Sequence, residues 1–157
     1  MPKKLFFSYA HEDEPLRNEL AKCLSLLERE NKIEPWHDRN INAGEEWKAE
    51  IDKHLEEANI ILLLVSPDFF ASAYIHEKEM KRAMERHKAH EAIVVPVVLR
   101  PVESLGEQLK ELQALPKDKK PITTWNNQDE AFADVVAGIR KLVTTPNPQK
   151  TRDSTMA

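Results

Sequence analysis

The run Ile60-Ile61-Leu62-Leu63-Leu64-Val65 constrains this chain more than any other stretch. Six apolar residues in succession leave no polar face for water. The run is far shorter than the ~20 residues of a membrane-crossing helix, so it reads as a strand buried on both sides. Such strands belong to parallel sheets whose two faces are covered by helices. A second run, Ile93 to Leu99, repeats the pattern with Pro96 inside it. Proline cannot donate to a ladder, so a bulge or an unpaired position is expected there.

Around these runs the chain alternates between strand and helix signals. Lys4 to Ser8 reads as a first strand, Ile33 to His37 as a weaker second, and Pro121 to Trp125 as a short fifth. Leu16, Leu20, Cys23, Leu24 and Leu27 recur at helical spacing, as do Trp47, Ile51, Leu55 and Ala58. A third helix is expected from about Ser72 to Lys88, after a break at Ser66-Pro67-Asp68, with Met80, Ala83, Met84 and His87 on one face. Leu105 to Leu115 predicts a short helix, and Phe132, Val135, Val136, Ile139 and Val143 a last one. Five such units predict an α/β three-layer sandwich with a five-stranded parallel sheet of order 2-1-3-4-5. Residues 1–143 would form the domain, and the polar residues 144–157 a tail or the start of a linker.

A sheet of this kind takes its ligand at the carboxyl ends of strands 1 and 3. Those ends are Ser8 to His11 and Ser66 to Phe69. The loop Asp38 to Gly44 leaves strand 2 at the same edge. Ser8 and Ser66 lack a G-x-S-x-G elbow, so they suit substrate contacts rather than a nucleophile. On the third helix, Glu79 and Glu77 flank the apolar face. Glu79 is the better placed, because the first turns of that helix approach the crevice.

Composition removes several classes of function. The chain has 157 residues, one domain's worth. Its 23 Lys and Arg against 27 Asp and Glu give a net charge of −4, which argues against nucleic acid as a partner. One cysteine, Cys23, allows neither an internal disulfide nor a multi-cysteine zinc site, and on the apolar stripe it reads as buried and structural. With no signal peptide either, a reducing cytoplasm is the expected compartment. Three distant glycines exclude a Walker A loop and a G-x-G-x-x-G fingerprint. His76-Glu77-Lys78-Glu79-Met80 lacks the second histidine of a zinc protease motif, and His87 with His90 reads as a helix-end pair. No metal and no membrane partner are expected.

Several stretches resemble the Toll/interleukin-1 receptor (TIR) domain family, in order and over roughly residues 3 to 143. Phe6-Phe7-Ser8-Tyr9-Ala10-His11-Glu12-Asp13 is similar to the family's first box. Trp36-His37-Asp38-Arg39-Asn40-Ile41-Asn42-Ala43-Gly44-Glu45-Glu46-Trp47 resembles its strand B and BB loop. Ile61 to Phe69 resembles strand C and the turn after it, and Ser72 to Met80 the start of helix C. Val94-Val95-Pro96-Val97 resembles strand D, where the family also carries a proline, and Leu115-Pro116-Lys117 through Trp125 the closing part of bacterial-type members.

The resemblance implies a flavodoxin-like fold and one of two tasks. Many members cleave NAD at the nicotinamide–ribose bond, giving nicotinamide and ADP-ribose or a cyclic isomer; here that implies bacterial immune signalling or defence. Others are signalling adaptors that only self-associate. In the cleaving members the essential glutamate follows a lysine and precedes an apolar residue, and Lys78-Glu79-Met80 fits that pattern where Glu77 does not. Ile75 stands four before Glu79, where an aromatic residue is frequent. The family's remaining substrate walls map to Ser8, Tyr9, His11, Asp38 and Trp47. No cofactor is implied, NAD being the substrate. The BB loop, Asp38 to Gly44, is implied to dock against another TIR domain, in a homo-oligomer or filament. A nucleoside deoxyribosyltransferase shares the fold plan and the N-glycosidic chemistry but leaves the BB-loop residues unexplained.

Overall fold

A computed structural model describes residues 2–37 and 47–144, with Trp47 and Lys48 described by their backbone alone. Four strands, β1 (Lys3–Ser8), β2 (Ile33–Pro35), β3 (Ile60–Val65) and β4 (Ile93–Val98), form a parallel sheet of order β2-β1-β3-β4. β3 pairs on both sides and all six of its residues are buried, which is what its unbroken apolar run demands. The helices are α1 (Glu14–Cys23), α2 (Ser25–Arg29), α3 (Trp47–Glu57), α4 (Pro67–Ala71), α5 (Lys81–Lys88), α6 (Gly106–Leu109) and α7 (Gln128–Thr144).

They cover the sheet in two layers, as the strand alternation dictates. Leu5 and Phe7 of β1 face Leu20, Leu24 and Leu27 and the α7 residues Phe132, Val135 and Ile139. Phe6, one position out of phase, faces the other layer, with Ile51 and Leu55 of α3, Phe69 of α4, Ala83 of α5 and Leu109 of α6. This is the flavodoxin-like α/β sandwich expected from the sequence.

Pro96 breaks nothing. It pairs in register with Leu63, inside an uninterrupted β3–β4 ladder. In a parallel strand alternate residues bond to opposite neighbours. Ile93 donates toward the β3 side, to the Asn59 carbonyl, at 2.9 Å. Pro96 therefore lies in the opposite phase, with its donor-less nitrogen on the outer edge, where proline is tolerated. Its carbonyl there accepts the Leu115 N–H at 2.8 Å.

The expected fifth strand, Pro121 to Trp125, is not a strand. Ile122–Thr124 form a 3₁₀ turn, whose Thr123 N–H reaches the Leu99 carbonyl at 3.1 Å, and among the described residues the edge of β4 forms one bridge, Val97 to Leu115. After Leu115 the next donor in phase would be Lys117. Its N–H goes instead to Asp134 Oδ2 of α7, at 2.6 Å. Gly138 lets α7 approach this corner, since a Cβ there would stand 2.6 Å from Leu115 Cδ2.

Three further expectations need correcting. The first long helix is two, with Leu24 between α1 and α2. Cys23 is exposed, because the buried face runs through Arg17, Leu20 and Leu24, roughly 60–120° around the helix from it. Ser66-Pro67-Asp68 does not merely break the chain: Ser66 Oγ accepts the Phe69 N–H at 3.0 Å and caps α4, with Pro67 at its first position. The third helix follows α4 where it was expected and runs to Lys88, but its first turns are π-helical, Ile75–Met80, before they continue as α5.

A buried arginine ties the α3–β3 corner to α5. Arg86 Nη1 donates to the carbonyls of Leu55 and Ala58 at 2.7 and 2.8 Å, and Nη2 to the Glu91 carbonyl at 3.1 Å. Arg86→Met keeps the aliphatic stem and removes these donors. It is expected to cost about 2–3 kcal/mol and to lower Tm by roughly 5–10 °C, read by thermal denaturation; an unchanged Tm would mean that water replaces the guanidinium.

Candidate active site

The carboxyl ends of β1 and β3 open into a cavity of about 720 Å³. β1 supplies Phe6 and Phe7 from opposite faces, and Tyr9, Ala10 and His11 follow as the chain turns into a 3₁₀ helix, His11–Asp13. Glu14 and Arg17 of α1, Trp36 after β2, Ile51 of α3 and Asp68 of α4 add walls. Tyr74, Ile75 and Glu79 close it from the segment that leads into α5.

Glu79 is the most buried carboxylate among the described residues of the cavity. It is 7% exposed, on the π-helical segment Ile75–Met80. π turns are rare and recur at functional sites. The wider turn buries Glu79 and Met80 side by side, where a regular helix would leave Glu79 at the margin of its apolar face. Ser8, the last residue of β1 and itself buried, donates from Oγ to Glu79 Oε1 at 2.7 Å. The hydrogen bond orients the carboxylate and offsets part of its desolvation. Burial, and then the charges of Glu79 and Asp52, push the Tyr74 phenol above its usual value, so Tyr74 is a neutral hydroxyl beside this carboxylate.

The aromatic walls are organised by stacking. Trp36 lies parallel to Phe6, centroids 5.9 Å apart, and to His54 of α3 at 4.2 Å. Phe7 is covered by the Arg17 guanidinium, 4.5 Å above its ring, with Tyr9 at 5.8 Å from the same group. Arg17 also bonds His37 Nδ1 and, at 3.1 Å, Asn18 Oδ1.

Behind the cavity a second polar group fixes the loops. Asp13, 1% exposed, accepts from Ser66 Oγ and, at 2.9 Å, from Arg100 Nε. Arg100 also binds Asp68 through Nη2, and these carboxylates, Asp68 first, hold its guanidinium firmly charged. One arginine thus joins the turns that follow β1, β3 and β4.

The sequence-derived residues divide into groups. Tyr9, His11, Ile75 and Glu79 line the cavity together. Ser8 stands behind Glu79 rather than on the wall. Ser66, expected at the substrate, is fully buried and occupied as the α4 cap and the Asp13 partner. Asp38 and the rest of the Asp38 to Gly44 loop lie outside the described residues, as does the Trp47 side chain. Sequence reasoning missed Trp36, Arg17 and Tyr74 as wall residues. The signal for Trp36 was its place one turn of chain before the loop; Arg17 sat among polar positions of α1 and gave none.

Two histidines in these layers predict an acid-labile fold. Burial lowers the pKa of both His54 and His87 from about 6.5, aided for His87 by His90. His87 Nδ1 accepts the Val94 N–H at 3.2 Å, which requires an unprotonated nitrogen. For a group whose folded pKa lies below its unfolded one and which is neutral when deprotonated, the unfolded chain binds more protons between the two values. Stability is then complete above pH about 6.5 and falls as pH drops through the folded values. Tm measured from pH 7.5 to 5 should fall, and His87→Gln should flatten part of the slope; a parent curve flat over that range would contradict this.

The architecture and the cavity at its strand ends define a flavodoxin-like α/β domain. A family model described as "TIR domain" matches residues 5–136, and the chain belongs to that family. It is 51% identical over 137 residues to an uncharacterized protein of Sinorhizobium fredii, y4lF. The match takes in 87% of this chain but only 42% of that protein, so the chain spans less than half of the relative's length. Among solved structures it is similar to the TIR domain of the Toll-related receptor TRR-2 from Hydra magnipapillata. There the identity is 21% and the TM-score 0.55, covering 87% of this chain and 97% of that one, a likeness of fold.

Proposed function

We propose that this TIR domain cleaves NAD at the bond between nicotinamide and ribose. The observation that carries the reading is Glu79: a buried carboxylate, oriented by Ser8, on the wall of a cavity lined by Phe6, Phe7, Tyr9, Trp36 and Tyr74. A carboxylate held in so buried a place suits a task that develops positive charge nearby.

In the proposed reaction the C1′–N bond breaks and its electron pair goes to the pyridinium nitrogen, so nicotinamide leaves neutral. The ribose becomes oxocarbenium-like, and the Glu79 anion stabilises it. Water then adds its oxygen to C1′ and gives up a proton, yielding ADP-ribose; attack by an adenine nitrogen instead closes a cyclic isomer. The aromatic walls offer stacking to the flat rings of the substrate. Association with further TIR domains through residues 38–44 belongs to the same proposal, as does a role in bacterial immune signalling or defence and a cytoplasmic setting. Among the described residues no helix is long and apolar enough to cross a membrane.

The alternative is an adaptor that only associates with other TIR domains, the fold likeness to a receptor TIR domain being its support. Incubation with NAD, and separately with deoxynucleosides, followed by chromatography separates the readings. Nicotinamide release supports cleavage; base exchange between deoxynucleosides points to a deoxyribosyltransferase; no product from either leaves the adaptor.

A further inference from the structure

The charges around the cavity are one-sided. Glu12, Glu14, Asp68 and Glu79 line it, and among the described residues Arg17 is the single arginine or lysine that does. Arg17 is 3% exposed and spread over the Phe7 ring. Immediately behind, Arg100 is shared between Asp13 and that same Asp68, so the two groups together set five carboxylates against two guanidiniums. Glu12 is exposed, and Glu14 is half-buried beside the His11 ring at 3.8 Å.

A nicotinamide dinucleotide brings two diphosphate charges and a pyridinium cation. Its 2′-phosphorylated form adds about −1.5 to −2 more near neutral pH. The one wall guanidinium can face one anionic group; a second phosphate in the same cavity meets carboxylates. Acidic side chains serve nucleotide sites in this sense elsewhere, accepting a ribose hydroxyl and repelling a phosphate in its place.

Resting on the NAD-cleaving reading, we propose that this cavity selects the dinucleotide without a 2′-phosphate, and that the acidic rim at Glu12 and Glu14 sets the preference. The selection is electrostatic, so it weakens as salt screens it.

The test measures kcat/KM for NAD and NADP on the full chain, together with equilibrium binding of each, followed by tryptophan fluorescence. NAD should be favoured by roughly tenfold or more at low ionic strength. The ratio should shrink toward 1 M salt, where the screening length is about 3 Å. The double variant Glu12→Gln/Glu14→Gln, checked for folding by circular dichroism, should raise the NADP value several-fold more than the NAD value. Equal or better use of NADP by the parent, or a ratio unmoved in the double variant, overturns the inference and leaves NAD cleavage standing. Tighter binding of NAD than of NADP with no cleavage of either supports the selection and overturns the catalytic reading. Binding of neither dinucleotide overturns both.

Discussion

Glu79→Gln is expected to reduce NAD cleavage by roughly 10² or more, the scale of a lost electrostatic stabiliser, while leaving the fold in place. Glutamine keeps the size of the side chain, and its amide oxygen can still accept from Ser8 Oγ, the bond that spans 2.7 Å in the parent. What it removes is the negative charge that faces the developing cation. The loss should fall on kcat more than on KM, because the interaction strengthens only as the glycosidic bond breaks. Glu77, exposed on the other side of the same segment, provides the control: Glu77→Gln should change turnover little. If Glu79→Gln turned over NAD near the parent rate, the carboxylate would have no catalytic task and Ser8–Glu79 would be a structural pair.

Arg100→Leu is expected to be the most destabilising single change at the mouth of the sheet. It leaves Asp13, 1% exposed, held by the Ser66 hydroxyl with no guanidinium beside it. Breaking a buried pair from one side costs about 3–5 kcal/mol, because the other charge stays buried. Tm should fall by roughly 10 °C or more. Asp13→Asn on the same background removes that charge and should recover part of the loss, a coupling that a thermodynamic cycle measures directly. A single variant within about 0.5 kcal/mol of the parent would place the Arg100 interaction with the solvated surface pairs, whose changes are of that size.

How much of this was legible beforehand can be read from particular elements. The apolar runs of β3 and β4, set between helices of amphipathic period, fixed a sheet covered on both faces, since periodicity reports which side of an element is dry. The strand ends then located the crevice, and Lys78-Glu79-Met80 singled out its carboxylate through the family resemblance. Where the reading failed, the cause was a partner distant in sequence. Pro121 to Trp125 has strand composition, but it turns as a 3₁₀ helix, and the Lys117 N–H that would carry the Leu115 bridge onward goes to Asp134. Pro96 looks like a fault until the edge it faces is known. Cys23 fits a helical stripe that the core meets from another angle.

The local pattern of the chain by itself determined the class of fold and the edge of the sheet that carries the site, because both follow from the order and period of apolar residues. Only the tertiary structure decided which polar groups work there. Ser8 and Ser66 are equivalent in sequence, each a serine at the end of a buried strand. One faces Glu79 at 2.7 Å; the other caps α4 and binds Asp13. Likewise Arg17 and Arg100 are ordinary surface letters in the sequence, yet one lies on the cavity wall and the other joins three loops. The role of a buried polar group is set by the partner that satisfies it, and here those partners lie 71, 53 and 87 residues away along the chain.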